Sequence, residues 1–122
     1  MDDLYDLFRK GTDLLEAGDH HQAVIPLTRA RDLAPDKSSI REALGRALFG
    51  AQRYEQAAQE FAAVCEHAPT NDYAQFCLGR SLQLLGRHAE ARGPLALAAT
   101  LQPSRRDYRV YRDRARAAAA RP

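Results

Sequence analysis

Apolar residues in this chain recur at steps of three and four, as at Leu44 and Leu48 and again at Ala57, Phe61 and Val64. That is the helical period and not the alternation of a strand. Short breaks separate the periodic stretches. One set consists of Ala17-Gly18-Asp19, Gly50-Ala51-Gln52-Arg53 and Gly86-Arg87, where glycine can adopt the left-handed conformation that ends a helix. The other consists of Ala34-Pro35-Asp36, Ala68-Pro69-Thr70 and Gln102-Pro103-Ser104, where the residue before proline is pushed out of helical geometry. The pattern predicts seven helices, near 3–17, 20–33, 38–50, 54–67, 72–85, 88–101 and 105–119. Asp3, Asp36, Ser38 and Ser104 are the expected N-cap suppliers. Pro26 and Pro94 fall inside expected helices and should bend them by removing a backbone donor.

The breaks are periodic too. Pro35, Pro69 and Pro103 stand 34 residues apart, which divides the chain into Leu4–Lys37, Ser38–Asn71 and Asp72–Arg105. Gly11, Gly45 and Gly79 then coincide, as do Leu14, Leu48 and Leu82. So do Ala23, Ala57 and Ala91, followed by Leu27, Phe61 and Leu95 and by Ala30, Val64 and Ala98. A unit of two amphipathic helices cannot bury its apolar face alone, so the units must stack on one another.

A 34-residue period with a small residue in the first helix, an Ala-x3-large pair in the second and a closing proline resembles the tetratricopeptide repeat. The resemblance covers about five-sixths of the chain. It implies an all-α, right-handed solenoid of three helix-turn-helix repeats, 4–37, 38–71 and 72–105, closed by a solvating capping helix at 105–119, the whole of 1–122 forming one domain. Two family positions depart from the pattern. The early Trp is replaced by Leu7, Arg41 and Gln75, and the first-helix Tyr by Leu14, Leu48 and Leu82.

Composition narrows the function classes. An apolar content of 45% in 122 residues suffices for a continuous core if the repeats stack. No apolar run approaches membrane-spanning length, and Met1-Asp2-Asp3-Leu4 lacks the features of a signal peptide, so a soluble cytoplasmic protein is expected. Arginine outnumbers lysine 16 to 2, the usage expected of GC-rich bacterial coding. Cys65 and Cys77 are too few for a zinc site and are expected as small buried or groove-edge residues. No Gly-rich phosphate loop, nucleophile elbow or His-Glu-x-x-His pair occurs, so neither an enzyme, a metal nor a cofactor is expected. His20 and His88 share a repeat position with Tyr54, which points to packing at the turn. Net charge is only +2 but runs from −3 over Met1–Lys37, through −1 over Ser38–Asn71 and +1 over Asp72–Thr100, to +5 over Leu101–Pro122. No nucleic-acid motif accompanies the basic end, so nucleic acid is not the expected partner.

The resemblance implies that the first helices of successive repeats line a concave groove that carries ligands. Carried over by position, the groove residues are Tyr5, Phe8, Thr12 and Leu15, then Ser39, Glu42, Arg46 and Phe49, then Tyr73, Phe76, Arg80 and Gln83. Five of the nine aromatic residues lie on this stripe, and aromatics beside arginine are typical of recognition surfaces. Arg46, Arg80 and Arg114 share one repeat position and should form a ladder able to receive a carboxylate or an acidic peptide. The alternative is a set of solvated arginines, with Glu42 paired to Arg46 and Phe76 stacked on Arg80. Family members that hold acidic chaperone tails use a Lys, Asn and Arg clamp whose places here are taken by Phe8, Thr12, Ala43, Tyr73 and Cys77.

The expected function is therefore a non-catalytic scaffold binding a protein or peptide, acidic or C-terminal in character. The alternatives are a small secretion or assembly chaperone shielding a client segment, and a module that self-associates into a homo-oligomer through its oppositely charged ends.

Overall fold

The computed structural model describes residues 2–121. Seven helices run in sequence: α1 Leu4–Glu16, α2 His20–Leu33, α3 Ser38–Gly50, α4 Tyr54–His67, α5 Asp72–Leu84, α6 His88–Leu101 and α7 Arg106–Ala119. The described residues contain no strand. Consecutive helices pack pairwise along the chain, and across repeats α1 also meets α3 and α5 meets α7. The first helices of the repeats thus draw together on one side. This is the all-α solenoid of stacked helix pairs.

Each pair is closed by the same contact. Gly11, Gly45 and Gly79 lie against Leu27, Phe61 and Leu95 of the partner helix, and all three large side chains are fully buried. A Cβ on Gly45 would stand 2.8 Å from the Phe61 ring, so only glycine lets the helices come this close. Ala23, Ala57 and Ala91 are likewise fully buried.

The turns inside the repeats share a hydrogen-bond pattern as well. The N–H groups of Asp19, Arg53 and Arg87 donate to the carbonyls of Leu14, Leu48 and Leu82 at 2.9, 2.8 and 2.9 Å. Those of Gly18, Gln52 and Gly86 donate to Leu15, Phe49 and Gln83 at 3.0, 2.9 and 2.9 Å. These are Schellman caps, which place one residue in the left-handed region. Gly18 and Gly86 occupy it at φ 81° and 77°, but in the middle repeat Gln52 does so at φ 62°. Gly50, which the sequence nominated for that turn, ends α3 instead, and the His20 ring packs against it.

One further expectation is corrected. Asp3 caps α1 by accepting from the Asp6 N–H at 2.8 Å, but Asp36, Ser38 and Ser104 cap nothing. Lys37 and Arg105 stand at those N-cap positions with extended backbone, and the remaining side-chain cap is Asn71, which accepts from the Ala74 N–H at 3.1 Å. α2 and α6 continue as helices through Pro26 and Pro94. The middle repeat carries Glu60 at the same position. Its carboxylate is buried and takes Arg31 at 2.6 Å and Arg41 at 2.9 Å, tying α2, α3 and α4 together.

Arg41 and Gln75, two of the three residues at the expected Trp position, share a role at the joints between repeats, whereas Leu7 is buried in the core. Arg41 donates to the Pro35 carbonyl at 2.7 Å, Gln75 to the Pro69 carbonyl at 3.0 Å, and Arg109, one repeat further on, to the Pro103 carbonyl. A long donor on each incoming helix thereby satisfies a carbonyl left free where the preceding helix ends.

Candidate functional site

The first helices frame an open cavity of about 500 Å³ between α3, α5 and α7. Leu15 and Phe61 lie at its inner wall, and both are buried. Phe49, Tyr73 and Phe76 supply aromatic surface, and Arg46 and Arg80 bring charge to it. Their spacing follows from the fold: equivalent helix positions one repeat apart stand side by side, so Arg46 and Arg80 face the same space.

The expected stripe divides at repeat one. Tyr5 is 69% exposed and, with Ser39, lies outside the cavity. Phe8 packs against the core clusters around Leu7 and Leu44, and the Thr12 hydroxyl donates back to the Phe8 carbonyl at 3.0 Å. Neither lines the cavity. Glu42 is half-buried and makes no ion pair with Arg46, contrary to the pairing weighed from sequence; no ion pair reaches Arg46 from any described residue.

Arg80 does not stack on Phe76. Its guanidinium lies 3.9 Å from the centre of the Tyr111 ring, while Phe76 stacks on Tyr108 at 4.6 Å and meets Tyr111 edge-on at 5.7 Å. Arg114 also approaches Tyr111, at 5.0 Å. Gln83 accepts from Arg80 at 3.0 Å and donates to the Tyr111 carbonyl at 3.0 Å, so it fixes the guanidinium and α7 at once. Arg114 and Gln83 line a neighbouring cavity rather than the first one.

α7 is therefore more than a solvating cap. Tyr108 is fully buried, and its hydroxyl donates to Asp72 at 2.8 Å. Burial and this carboxylate together push its phenol well above the ordinary tyrosine range. Tyr111, missed as a site residue, touches both cavities. The signal was the stripe Tyr108, Tyr111 and Ala115 at helical spacing.

Burial also controls the thiols. Desolvation pushes Cys77, which lines the first cavity, up to about 12 and Cys65 up to about 11. Tyr73 is raised to about 12, chiefly by the same cause. At neutral pH the cavity holds neutral thiol and phenol beside Arg46, Arg80 and the Asp107 carboxylate, the last paired with Arg105 at 2.7 Å. No group of three or more metal-ligating side chains comes together among the described residues, and no helix among them is long and apolar enough to cross a membrane. At the opposite end of the array, Leu14, Ile25 and Pro26 form an apolar hollow rimmed by both signs of charge, Asp6 and Asp13 with Arg9 and Lys10.

The model of a family described as "Tetratricopeptide repeat" matches residues 8–72 and 53–107. Over 83 residues, 68% of the chain, the sequence is 35% identical to Superkiller complex protein 3 of Mus musculus, of whose length the match covers 5%. Among solved structures, MamA from AMB-1 superposes with a TM-score of 0.89 at 25% identity, covering 98% of this chain and 65% of that one. The first repeat domain of Spaghetti (RPAP3), solved with the HSP90 peptide SRMEEVD, superposes with a TM-score of 0.87 at 17% identity, over 97% and 94% of the two chains.

Proposed function

Because the chain belongs to the tetratricopeptide-repeat family, we propose that it is a non-catalytic scaffold that holds a peptide or protein partner in the cavity between α3, α5 and α7. The observation that carries this reading is the pairing, in about 500 Å³, of apolar aromatic surface with an Arg46 guanidinium that has no ion-pair partner among the described residues. Surface of that kind favours a ligand with an apolar anchor and an acidic group or C-terminal carboxylate. Phe49 and Tyr73 provide the burial, and Arg46 and Arg80 provide orientation. The likeness to the Spaghetti domain supports the fold alone, since this chain has none of the residues of the acidic-tail clamp at Phe8, Thr12, Ala43, Tyr73 and Cys77.

Selection of peptides from a random displayed library, followed by calorimetry on the winners, tests the reading. The winners should share an apolar residue and a nearby carboxylate. Phe49→Ala should weaken them by more than about 1 kcal/mol with little salt dependence, and Arg46→Ala should mainly slow association at low salt. Winners indifferent to both substitutions would refute it.

A further inference from the structure

A second cavity, of about 470 Å³, opens where the end of α5, the start of α6 and the end of α7 meet. Arg80, Arg114 and Arg121 all line it, together with Gln83, His88 and Tyr111, and no Asp or Glu does. Such a density of guanidinium groups would ordinarily be relieved by ion pairs. Asp113, next to Arg114 in sequence, pairs with Arg112 and Arg116, and Glu90, two residues after His88, pairs with Arg87. None of the ion pairs between described residues includes Arg80, Arg114 or Arg121.

Two of the three are nevertheless held in place. Arg80 and Arg114 both lie against the Tyr111 ring, at 3.9 and 5.0 Å from its centre, and Arg80 is further fixed by Gln83. Stacking on an aromatic face orders a guanidinium while leaving its donor edge free. Gln83 spends its own donor on the Tyr111 carbonyl, so the support is anchored to the backbone of α7. His88 also lines the cavity, while its Nδ1 is buried away from solvent without a hydrogen-bond partner.

We infer that this cavity is a binding site for a phosphoryl group. Three arginines lining one space bring more positive charge than a single carboxylate, with two oxygens in one plane and one negative charge, can neutralise. A tetrahedral dianion offers three oxygens in different directions and a second negative charge. The site does not depend on peptide binding in the first cavity, with which it shares only Arg80 and Tyr111. The phosphoryl group can come from a small phosphorylated molecule or from a phosphorylated side chain of a partner.

The test titrates the whole protein with inorganic pyrophosphate, with a phosphoserine peptide and its unphosphorylated form, and with acetate at matched ionic strength. Calorimetry reads affinity. Arg121→Gln and Arg114→Gln are the variants, and both side chains are exposed enough that thermal melting should report unchanged folding. Saturable binding of either phosphate-bearing probe, weakened about tenfold by each substitution, is the expected result, and the tighter of the two probes identifies the source. The inference is overturned if neither probe saturates, if binding survives the double substitution unchanged, or if acetate binds as well as pyrophosphate. Because Arg121 lies outside the first cavity, its loss should leave selected peptides bound, which separates failure here from failure of the scaffold reading.

Discussion

The Phe61 ring rests directly on Gly45, where an added Cβ would stand 2.8 Å from the ring's far carbon. Phe61 is fully buried and cannot swing away. Gly45→Leu should therefore cost about 1–3 kcal/mol as an overpacked core does. Gly93 gives the contrast. It lies inside α6 with nothing beyond its chain neighbours and its own helix within 4 Å of its would-be Cβ, while Pro94 directly after it offsets the helix-propensity gain of a side chain, so Gly93→Ala should change stability far less than Gly45→Leu. Urea denaturation of both variants checks the pair, and equal effects would contradict the packing.

Gln52 bears the left-handed turn that glycine bears in the other two repeats. A side chain there costs about 1 kcal/mol or more. Gln52→Gly should raise stability by about that amount, visible as a higher urea midpoint with an unchanged slope. A loss of stability would mean that the Gln52 side chain supports the turn in a way its exposure does not suggest.

Glu60 is a buried acid between Arg31 and Arg41, whose side chains keep 28% and 24% of their exposure. Removing it leaves two cations that can still reach water, so Glu60→Ala should cost about 1–3 kcal/mol, less than the loss of a fully buried partner. Arg41→Ala also removes the hydrogen bond to the Pro35 carbonyl, a smaller loss because that carbonyl is open to water. A double-mutant cycle should show the two effects coupled, and simple additivity would contradict a shared network.

The raised thiol and phenol values set a direction for alkaline pH. Cys65, Cys77 and Tyr73 ionise at higher pH when folded than in an open chain. The native state then holds more protons than the unfolded state above about pH 9, so stability should be level at neutral pH and fall as pH rises from there towards 12. Urea midpoints at pH 7.5 and 10 measure this. A disulfide-exchange reagent should react slowly with both cysteines at pH 8 until urea unfolds the chain.

Much of this architecture was legible because one signal was written three times. The 34-residue period located the helices to within a residue or two, and the glycine and alanine positions that set helix approach. The caps were less legible. Whether Ser38 or Lys37 stands at the N-cap depends on one ψ angle, which composition does not fix. The aromatic cluster was missed for a different reason: the arginines of α7 hid the apolar stripe of Tyr108, Tyr111 and Ala115. Phe76, a groove residue by its repeat position, also stacks on Tyr108, so Phe76→Ala would loosen α7 as well as any ligand.

The most direct test of the scaffold proposal is to map where a selected peptide lands, by following backbone amide and arginine side-chain NMR signals during titration. The proposal expects the largest shifts at Arg46, Phe49, Tyr73, Cys77 and Arg80, with Ile25 and Leu33 unmoved. Shifts concentrated around Ile25 and Leu14, with the first cavity silent, would contradict it.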